Sequence, residues 1–346
     1  SGFTAKGTVK FSANAAPQAS RMTFTVNAGN ITCSGTPQDT TKPTINASAP
    51  ANNATLNLAT PTISAQYADT GSGIDISKVT LTVDGANVTA QSTITATGIT
   101  YTPTTALVNG AHTAQLSVAD NANNTETLGW GFKIDTQTPT ISALAPANGT
   151  TLNNPKPTIS AQFVDQGGAN ASGIDTTKTV LMLDGVNVTV QATVSATGIT
   201  YVPANNLNAG SHAAQLTVVD LAGNSAQSSW TFTVDTAGPI ITGQVPVVNA
   251  MLNNAKPTIS AQYSDAGGAV SPSNVTLTLD GTNITAQANV TATGISYTPA
   301  ANLGEGTHTV VLSVIDAAGN RSEAAWSFTV DTQAPTVSNQ TPTNGA

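Results

Sequence analysis

Three landmarks recur along this chain at the same two intervals. Trp130, Trp230 and Trp326 lie 100 and 96 residues apart, and so do His112, His212 and His308 and the Asp-Gly pairs that begin at Asp84, Asp184 and Asp280. A period near a hundred residues predicts tandem domains, because solenoid units are usually about 20 to 50 residues long. Three repeats are therefore expected, over 39–135, 136–235 and 236–331. They are flanked by partial segments at 1–38 and 332–346 of the 346 residues.

Within a repeat the apolar residues alternate with polar ones. Ile63, Ala65 and Tyr67 alternate with Ser64 and Gln66, and Val79, Leu81 and Val83 alternate with Thr80 and Thr82. That period of two marks half-buried strands. Ala114, Leu116 and Val118 share the parity of His112, and Trp130, Phe132 and Ile134 make a last inward row. No segment carries helical periodicity. Each Asp-Gly pair sits between alternating runs, where a tight hairpin needs positive φ. About seven short strands per repeat predict an all-β fold of tandem immunoglobulin-like antiparallel sandwiches.

The spacings also locate one variable loop. Asp69 to Asp84 is 15 residues, Asp165 to Asp184 is 19 and Asp265 to Asp280 is 15, whereas each Asp-Gly pair precedes its Trp by 46. The four extra residues fall in a single place, as expected of an exposed loop on a rigid scaffold.

Composition excludes several classes of function. Charged residues make up 8% of the chain where roughly 25% is usual, which gives a polar but nearly uncharged surface. A formal charge of −8 with only ten Lys and Arg argues against a nucleic-acid partner, which needs clustered cations. No apolar run approaches the ~18 residues of a membrane span, so no membrane insertion is expected in this segment. Residues 1–20 lack the pattern of a signal peptide; the expectation is a leader already removed or a chain cut from something longer. Cys33 is the only cysteine, so an internal disulfide or a CxxC metal site cannot form. It reads as an inert thiol.

The runs Pro-Thr-Ile-Ser-Ala-Gln (157–162 and 257–262), Asp-x-Ala-Gly-Asn (220–224 and 316–320) and Trp-x-Phe-Thr-Val-Asp-Thr (230–236 and 326–332) carry a resemblance. Over about residues 39–335 the chain resembles the bacterial Ig-like repeats of large cell-surface and secreted proteins. The first repeat departs at one point, with Asn123 where the others have Gly; Asn also tolerates the left-handed conformation. The resemblance implies an extracellular or cell-surface location. The two ends are expected to be a window on a longer array, with residues 3–12 and 21–26 as closing strands and 331–346 opening a fourth repeat. The alternative is a subunit that exchanges strands between copies.

All fifteen aspartates fall on five positions of the repeat. Asp39, Asp135, Asp235 and Asp331 open Asp-Thr-x-x-Pro linkers; Asp69, Asp165 and Asp265 start the variable loop; Asp75 and Asp175 follow in it; Asp120, Asp220 and Asp316 precede the last hairpin; the Asp-Gly set completes the count. In an Ig-like sandwich the linker, that loop and that hairpin share one end. Carboxylates gathered without Lys or Arg repel unless a cation joins them, and hard oxygen ligands suit Ca2+. The expected sets are Asp39 with Asp69, Asp75 and Asp120; Asp135 with Asp165, Asp175 and Asp220; and a poorer third of Asp235, Asp265 and Asp316. Calcium-stiffened junctions are also what the resemblance implies. The competing reading is that these aspartates cap turns by accepting backbone N–H groups two residues on.

No HExxH, GxSxG, Walker or GxGxxG motif is present, and Glu126, Glu305 and Glu323 form no acid/base pair. No catalytic residue is expected. The histidines read as edge-of-core residues and the tryptophans as packing anchors before sugar platforms. Asn87-Val-Thr, Asn187-Val-Thr and Asn283-Ile-Thr match the glycosylation sequon. The expected function is an extracellular structural or adhesive segment, a rod-like stalk or fibre. Its partners would be other copies of itself, other surface proteins or glycans. The alternatives are a self-assembling filament subunit, and a non-catalytic spacer or sugar-binding module of a larger secreted enzyme or electron-transfer protein.

Overall fold

A computed structural model describes residues 23–27, 30–34 and 38–338. The chain falls into two compact units. One comprises the residues up to Thr138 with Asp165–Gly173 and Asp220–Asn224; the other comprises Pro139–Val164, Ile174–Val219 and the residues from Ser225 on.

In the first unit, β1 (Thr23–Asn27) and β2 (Asn30–Ser34) form an antiparallel hairpin. The strand expected over residues 3–12 lies outside the described residues, as do residues 339–346. A sandwich follows, built from β3 (Thr44–Ala49), β4 (Ala54–Leu56), β5 (Ile63–Ala68), β6 (Thr80–Val83), β7 (Ala86–Asn87), β8 (Thr93–Ile94), β9 (Gly98–Tyr101), β10 (Gly110–Ala119) and β11 (Thr125–Ile134). One sheet has the order β3-β5-β9-β8 and the other β4-β11-β10-β6-β7. The alternation read from the sequence is the burial pattern: Leu81, Leu116, Val118 and Ile134 are fully buried between the sheets. Each such side chain contributes about 1.5–3 kcal/mol on leaving water.

Two features depart from the expectation of about seven antiparallel strands. The sandwich has nine, because two-residue ladders flank the single-turn helix Thr89–Gln91 and because the first strand is divided. The register of β3 on β5 slips between Asn46 and Ala49, where Ala47 takes a φ of 49°. Beyond that bulge and Pro50 the chain pairs with the other sheet instead, β4 running parallel to β11 from Ala54↔Phe132 to Leu56↔Ile134. Bulges and Pro both end a ladder and re-aim a strand.

The second unit holds two sandwiches of the same plan. In one, Thr140–Ala145, Ile159–Val164, Gly198–Tyr201 and Thr193–Val194 form the four-stranded sheet, and Thr150–Leu152, Ser225–Val234, Gly210–Val219, Val180–Leu183 and Val186–Asn187 the five-stranded one. In the other the sheets run Ile240–Val245, Ile259–Ser264, Gly294–Tyr297, Asn289–Val290 and Ala250–Leu252, Arg321–Val330, Gly306–Ile315, Val275–Leu279, Thr282–Asn283. Each has its own core, around Leu216, Trp230 and Phe232 in one and Leu312, Trp326 and Phe328 in the other.

The Asp-Gly hairpins are the primed turns that the sequence predicts, with φ of 50° and 79° at Asp84 and Gly85 and closely similar values at the other two pairs. The sequons have a structural explanation. Asn87 Oδ1 accepts from Thr89 N at 2.9 Å and Thr89 Oγ1 accepts from Leu81 N at 2.9 Å, and the same pair of bonds recurs at Asn187–Thr189 and Asn283–Thr285. Among the described residues no helix is long and apolar enough to cross a membrane.

Candidate metal centre

Among the described residues three groups of carboxylates come together, each within one unit: Asp39, Asp69 and Asp120; Asp135, Asp165 and Asp220; Asp235, Asp265 and Asp316. In every group one oxygen from each residue lies within 4.8 Å of the others. The elements that place them are the entering linker, the loop after the second long strand and the turn of the last hairpin. Asp120, Asp135 and Asp220 have no exposed surface, and Asp316 and Asp235 retain 2% and 4%.

Most of these oxygens are already held by backbone N–H groups. Asp39 accepts from Thr41 N at 2.9 Å and from Ser72 N at 2.7 Å. Those bonds hold its carboxyl well below the usual range, at about 2. Asp69 Oδ2 accepts from Gly71 N and Gly73 N at 3.0 and 2.7 Å. Asp120 Oδ1 accepts from Ala122 N and Asn124 N at 2.9 and 2.7 Å. The second group repeats the scheme, with Asp135 Oδ2 on Ser172 N at 2.5 Å and Asp165 Oδ2 on Gly173 N at 2.6 Å. The turn-capping expectation therefore describes what these aspartates do within the chain.

Three oxygens remain without a partner although buried: Asp69 Oδ1, Asp165 Oδ1 and Asp235 Oδ2. Lys and Arg do not supply the missing charge. Among the described residues their carboxylate ion pairs are Lys42 with Glu126, Lys78 with Asp75, Lys178 with Asp175 and Arg321 with Glu323. Burial raises the Asp165 carboxyl, and the charges of Asp135 and Asp220 raise it further against the opposing bond from Gly173 N. An unpaired carboxylate oxygen without solvent is costly. A divalent cation with a preference for oxygen, as calcium has, fits both the donor set and the vacancy in its hydrogen bonding. The space is kept open by glycine: a Cβ on Gly71 would stand 2.1 Å from Asp39 Oδ2, and one on Gly267 1.9 Å from Asp235 Oδ2.

Asp75 and Asp175 do not join these groups. Each accepts from the backbone and hydroxyl of the residue two positions on, Ser77 or Thr177, and pairs with the lysine after it. Those bonds draw both carboxyls below the usual range, the hydroxyl contributing most. The third group is built differently. It has Gly268 and Ala269 where the others have Ser72-Gly73 and Ser172-Gly173. Gly73 and Gly173 take φ of 78° and 94°, which alanine resists.

Sequence reasoning missed the asparagines that complete each site. Asn124 Nδ2 donates to Asp39 O and Asp120 Oδ2, Asn224 Nδ2 to Asp135 O and Asp220 Oδ2, and Asn320 Nδ2 to Asp235 O and Asp316 Oδ2. The signal was present, since an Asn stands four residues after the hairpin Asp in every repeat. The tryptophans, 2–4% exposed, offer no open ring face to a sugar.

A family model described as a bacterial Ig-like domain matches residues 146–236 and 243–332, together just over half of the chain. A second, described as a bacterial Ig domain, matches residues 43–115. The comparison with curated proteins gives no match. Among solved structures, a three-domain titin fragment (I67–I69, an E-to-A variant) is similar at 13% identity and a TM-score of 0.45, covering 84% of this chain and 98% of that one. The fibronectin(III)-like modules of Clostridium thermocellum CbhA are similar at 15% identity and a TM-score of 0.31, covering 59% and 100%.

Proposed function

This chain belongs to the bacterial Ig-like domain family, and we propose that it is a non-catalytic structural segment, a stalk or spacer in a protein that works at the cell surface or outside the cell. The observation that carries this reading is the threefold recurrence of one arrangement. A linker aspartate, Asp39, Asp135 or Asp235, meets the loop and hairpin carboxylates of the sandwich that follows it, and the hairpin asparagine bonds to its main-chain oxygen. Polar contacts invested at the linkers serve to restrain how the chain passes from one sandwich to the next, which is a mechanical task.

Calcium is the cation proposed for these groups. It would be held by Asp39, Asp69 and Asp120, by Asp135, Asp165 and Asp220, and by Asp235, Asp265 and Asp316, with water or main-chain oxygens making up the six to eight ligands it takes. Bound there it supplies positive charge that removes the repulsion among three carboxylates. The alternative of a filament joined by strand exchange draws on residues outside those described.

Small-angle scattering of the whole chain in calcium and then in chelator tests the reading. A monomer whose maximum dimension and flexibility both change on chelation supports cation-restrained linkers. Identical scattering together with no heat of calcium binding in calorimetry removes the cation and leaves a stalk restrained by hydrogen bonds alone. Turnover of a substrate by the purified chain would remove the non-catalytic reading.

A further inference from the structure

Each sandwich carries a buried histidine whose two ring nitrogens both face acceptors. His112 Nδ1 is 2.7 Å from Asp84 Oδ2 and its Nε2 is 2.7 Å from Val108 O. His212 stands 2.7 Å from Asp184 Oδ2 and 2.9 Å from Asn208 O, and His308 2.7 Å from Asp280 Oδ2 and 2.9 Å from Gly304 O. The rings lie against Phe132, Phe232 and Phe328 with centroids 5.5–5.6 Å apart, and are only 5–9% exposed.

A neutral imidazole has one N–H and one bare nitrogen, so it can donate to only one of two acceptors; an imidazolium donates to both. A carboxylate and a carbonyl can only accept. Neutral histidine would thus leave a lone pair facing an oxygen lone pair inside the protein, which is costly. The aspartate is no incidental partner. It is the first residue of the Asp-Gly turn, its other oxygen accepts from the backbone of Thr113, Ala213 or Thr309 at 2.8 Å, and it holds positive φ.

We propose that His212 and His308 are protonated latches: as an imidazolium each ties the Asp-Gly hairpin and the loop before the long strand to one point of its sandwich, and loss of its proton as pH rises releases one of the two ties. Asp184 is the charged group that faces His212, and Asp280 the one that faces His308. The strand Ser225–Val234 behind His212 brings no charge. Behind His308, Arg321 and Glu323 pair with each other, and nearby Glu305 is engaged by Thr332. Burial acts to lower both imidazoles, but the bonds to the aspartate and to the loop carbonyl outweigh it and hold His212 and His308 above the usual 6.5. A group raised on folding stabilises fully below its unfolded value and loses that contribution as pH rises through the folded value. The latch is closed in mild acid and opens toward alkaline pH.

Because the chain has only three histidines, selective ¹⁵N labelling of their rings resolves His212 and His308 in the intact protein. At pH 6.5 both nitrogens of His212 and His308 should be protonated, with midpoints above 6.5. In Asp184→Asn and Asp280→Asn the matching midpoint should fall by roughly one unit or more. A bare ring nitrogen at pH 6.5, or a midpoint at or below that value in the wild-type chain, overturns the proposal without any variant. Urea unfolding at pH 6 and pH 9 gives the second measurement: the wild type should be weaker at pH 9, and the difference should shrink in His212→Gln with His308→Gln. An equal drop in both chains would also overturn it.

Discussion

Asn224 Nδ2 lies 2.9 Å from the main-chain oxygen of Asp135 and 2.7 Å from Asp220 Oδ2. One side-chain amide thus spans the hairpin turn and the linker, using both of its N–H groups on acceptors that have little access to water. Asn124 and Asn320 do the same at their own linkers. The linker aspartate is fixed from two directions, its carbonyl by the asparagine and its carboxylate by backbone N–H groups, before any ion is considered.

Asn224→Ala should therefore destabilise the protein by about 1–3 kcal/mol, the cost of leaving buried acceptors without a donor. Asn224→Asp should be worse, since it adds a further negative charge beside Asp220, which already faces Asp135 and Asp165. Chemical denaturation at neutral pH in chelator measures both. An Ala variant within about 0.5 kcal/mol of wild type, the range of an ordinary surface change, would show that the amide is dispensable.

Asp165→Asn should act with opposite signs in the two states. Without calcium it removes one of three repelling carboxylates, one whose proton affinity burial and the charges of Asp135 and Asp220 already raise, so the thermal midpoint should rise. With calcium it removes a ligand. A site saturated at about a hundred times its dissociation constant gains about 2.7 kcal/mol, and the variant should lose most of what that site gives. Thermal scans with calcium and with chelator distinguish this crossed response from the uniform loss of a purely structural residue.

Much of the fold was legible because alternation and periodicity are local signals repeated three times. Leu116, Trp130 and Phe132 are buried where parity placed them, and the turns at Asp84, Asp184 and Asp280 follow from residue type alone. The parallel pairing of Ala54–Leu56 was not legible, because it depends on where a bulge releases the first strand to the other sheet. Of the candidate site, the linker, loop and hairpin aspartates could be grouped by topology, whereas Asp75 and Asp175 resemble them in sequence and are drawn off by a hydroxyl two residues on and a lysine three residues on. The 28-residue spacing from Asp84 to His112 recurs at Asp184 and Asp280. It was available as a contact signal, but burial alone accounted for the histidine.

The same capping aspartates set an acid limit. Asp75 and Asp175 have folded pKa values below the usual 3.8, through the hydroxyls of Ser77 and Thr177 and then Lys78 and Lys178. A carboxyl depressed on folding stabilises above its unfolded value and loses that contribution as pH falls through the folded one. Urea midpoints should thus drop between pH 5 and pH 2.5, and Asp75→Ser with Asp175→Ser, which copies Ser271 of the third repeat, should flatten that part of the drop. An unchanged acid profile in the double variant would place the loss elsewhere.

Gly98, Gly198 and Gly294 occupy one position in three sandwiches, and their φ values are ordinary, so backbone freedom does not explain them. Close approach does. A Cβ on Gly98 would stand 3.1 Å from the carbonyl oxygen of Ala65, and on Gly198 or Gly294 3.0 Å from those of Ala161 and Ala261. The obstacle is the backbone of the paired strand, which can retreat only by opening the ladder in which Ala65 faces Ile99, both of them in the core. Gly98→Ala should cost about 1–3 kcal/mol, as overpacking does. Gly129→Ala is the control in the same sandwich: its Cβ would meet nothing closer than Ala114 O at 3.9 Å, and reduced freedom of the unfolded chain should leave the protein unchanged or more stable by a few tenths of a kcal/mol. Equal losses in the two variants would mean that glycine is needed in these strands for a reason other than the distance to Ala65 O.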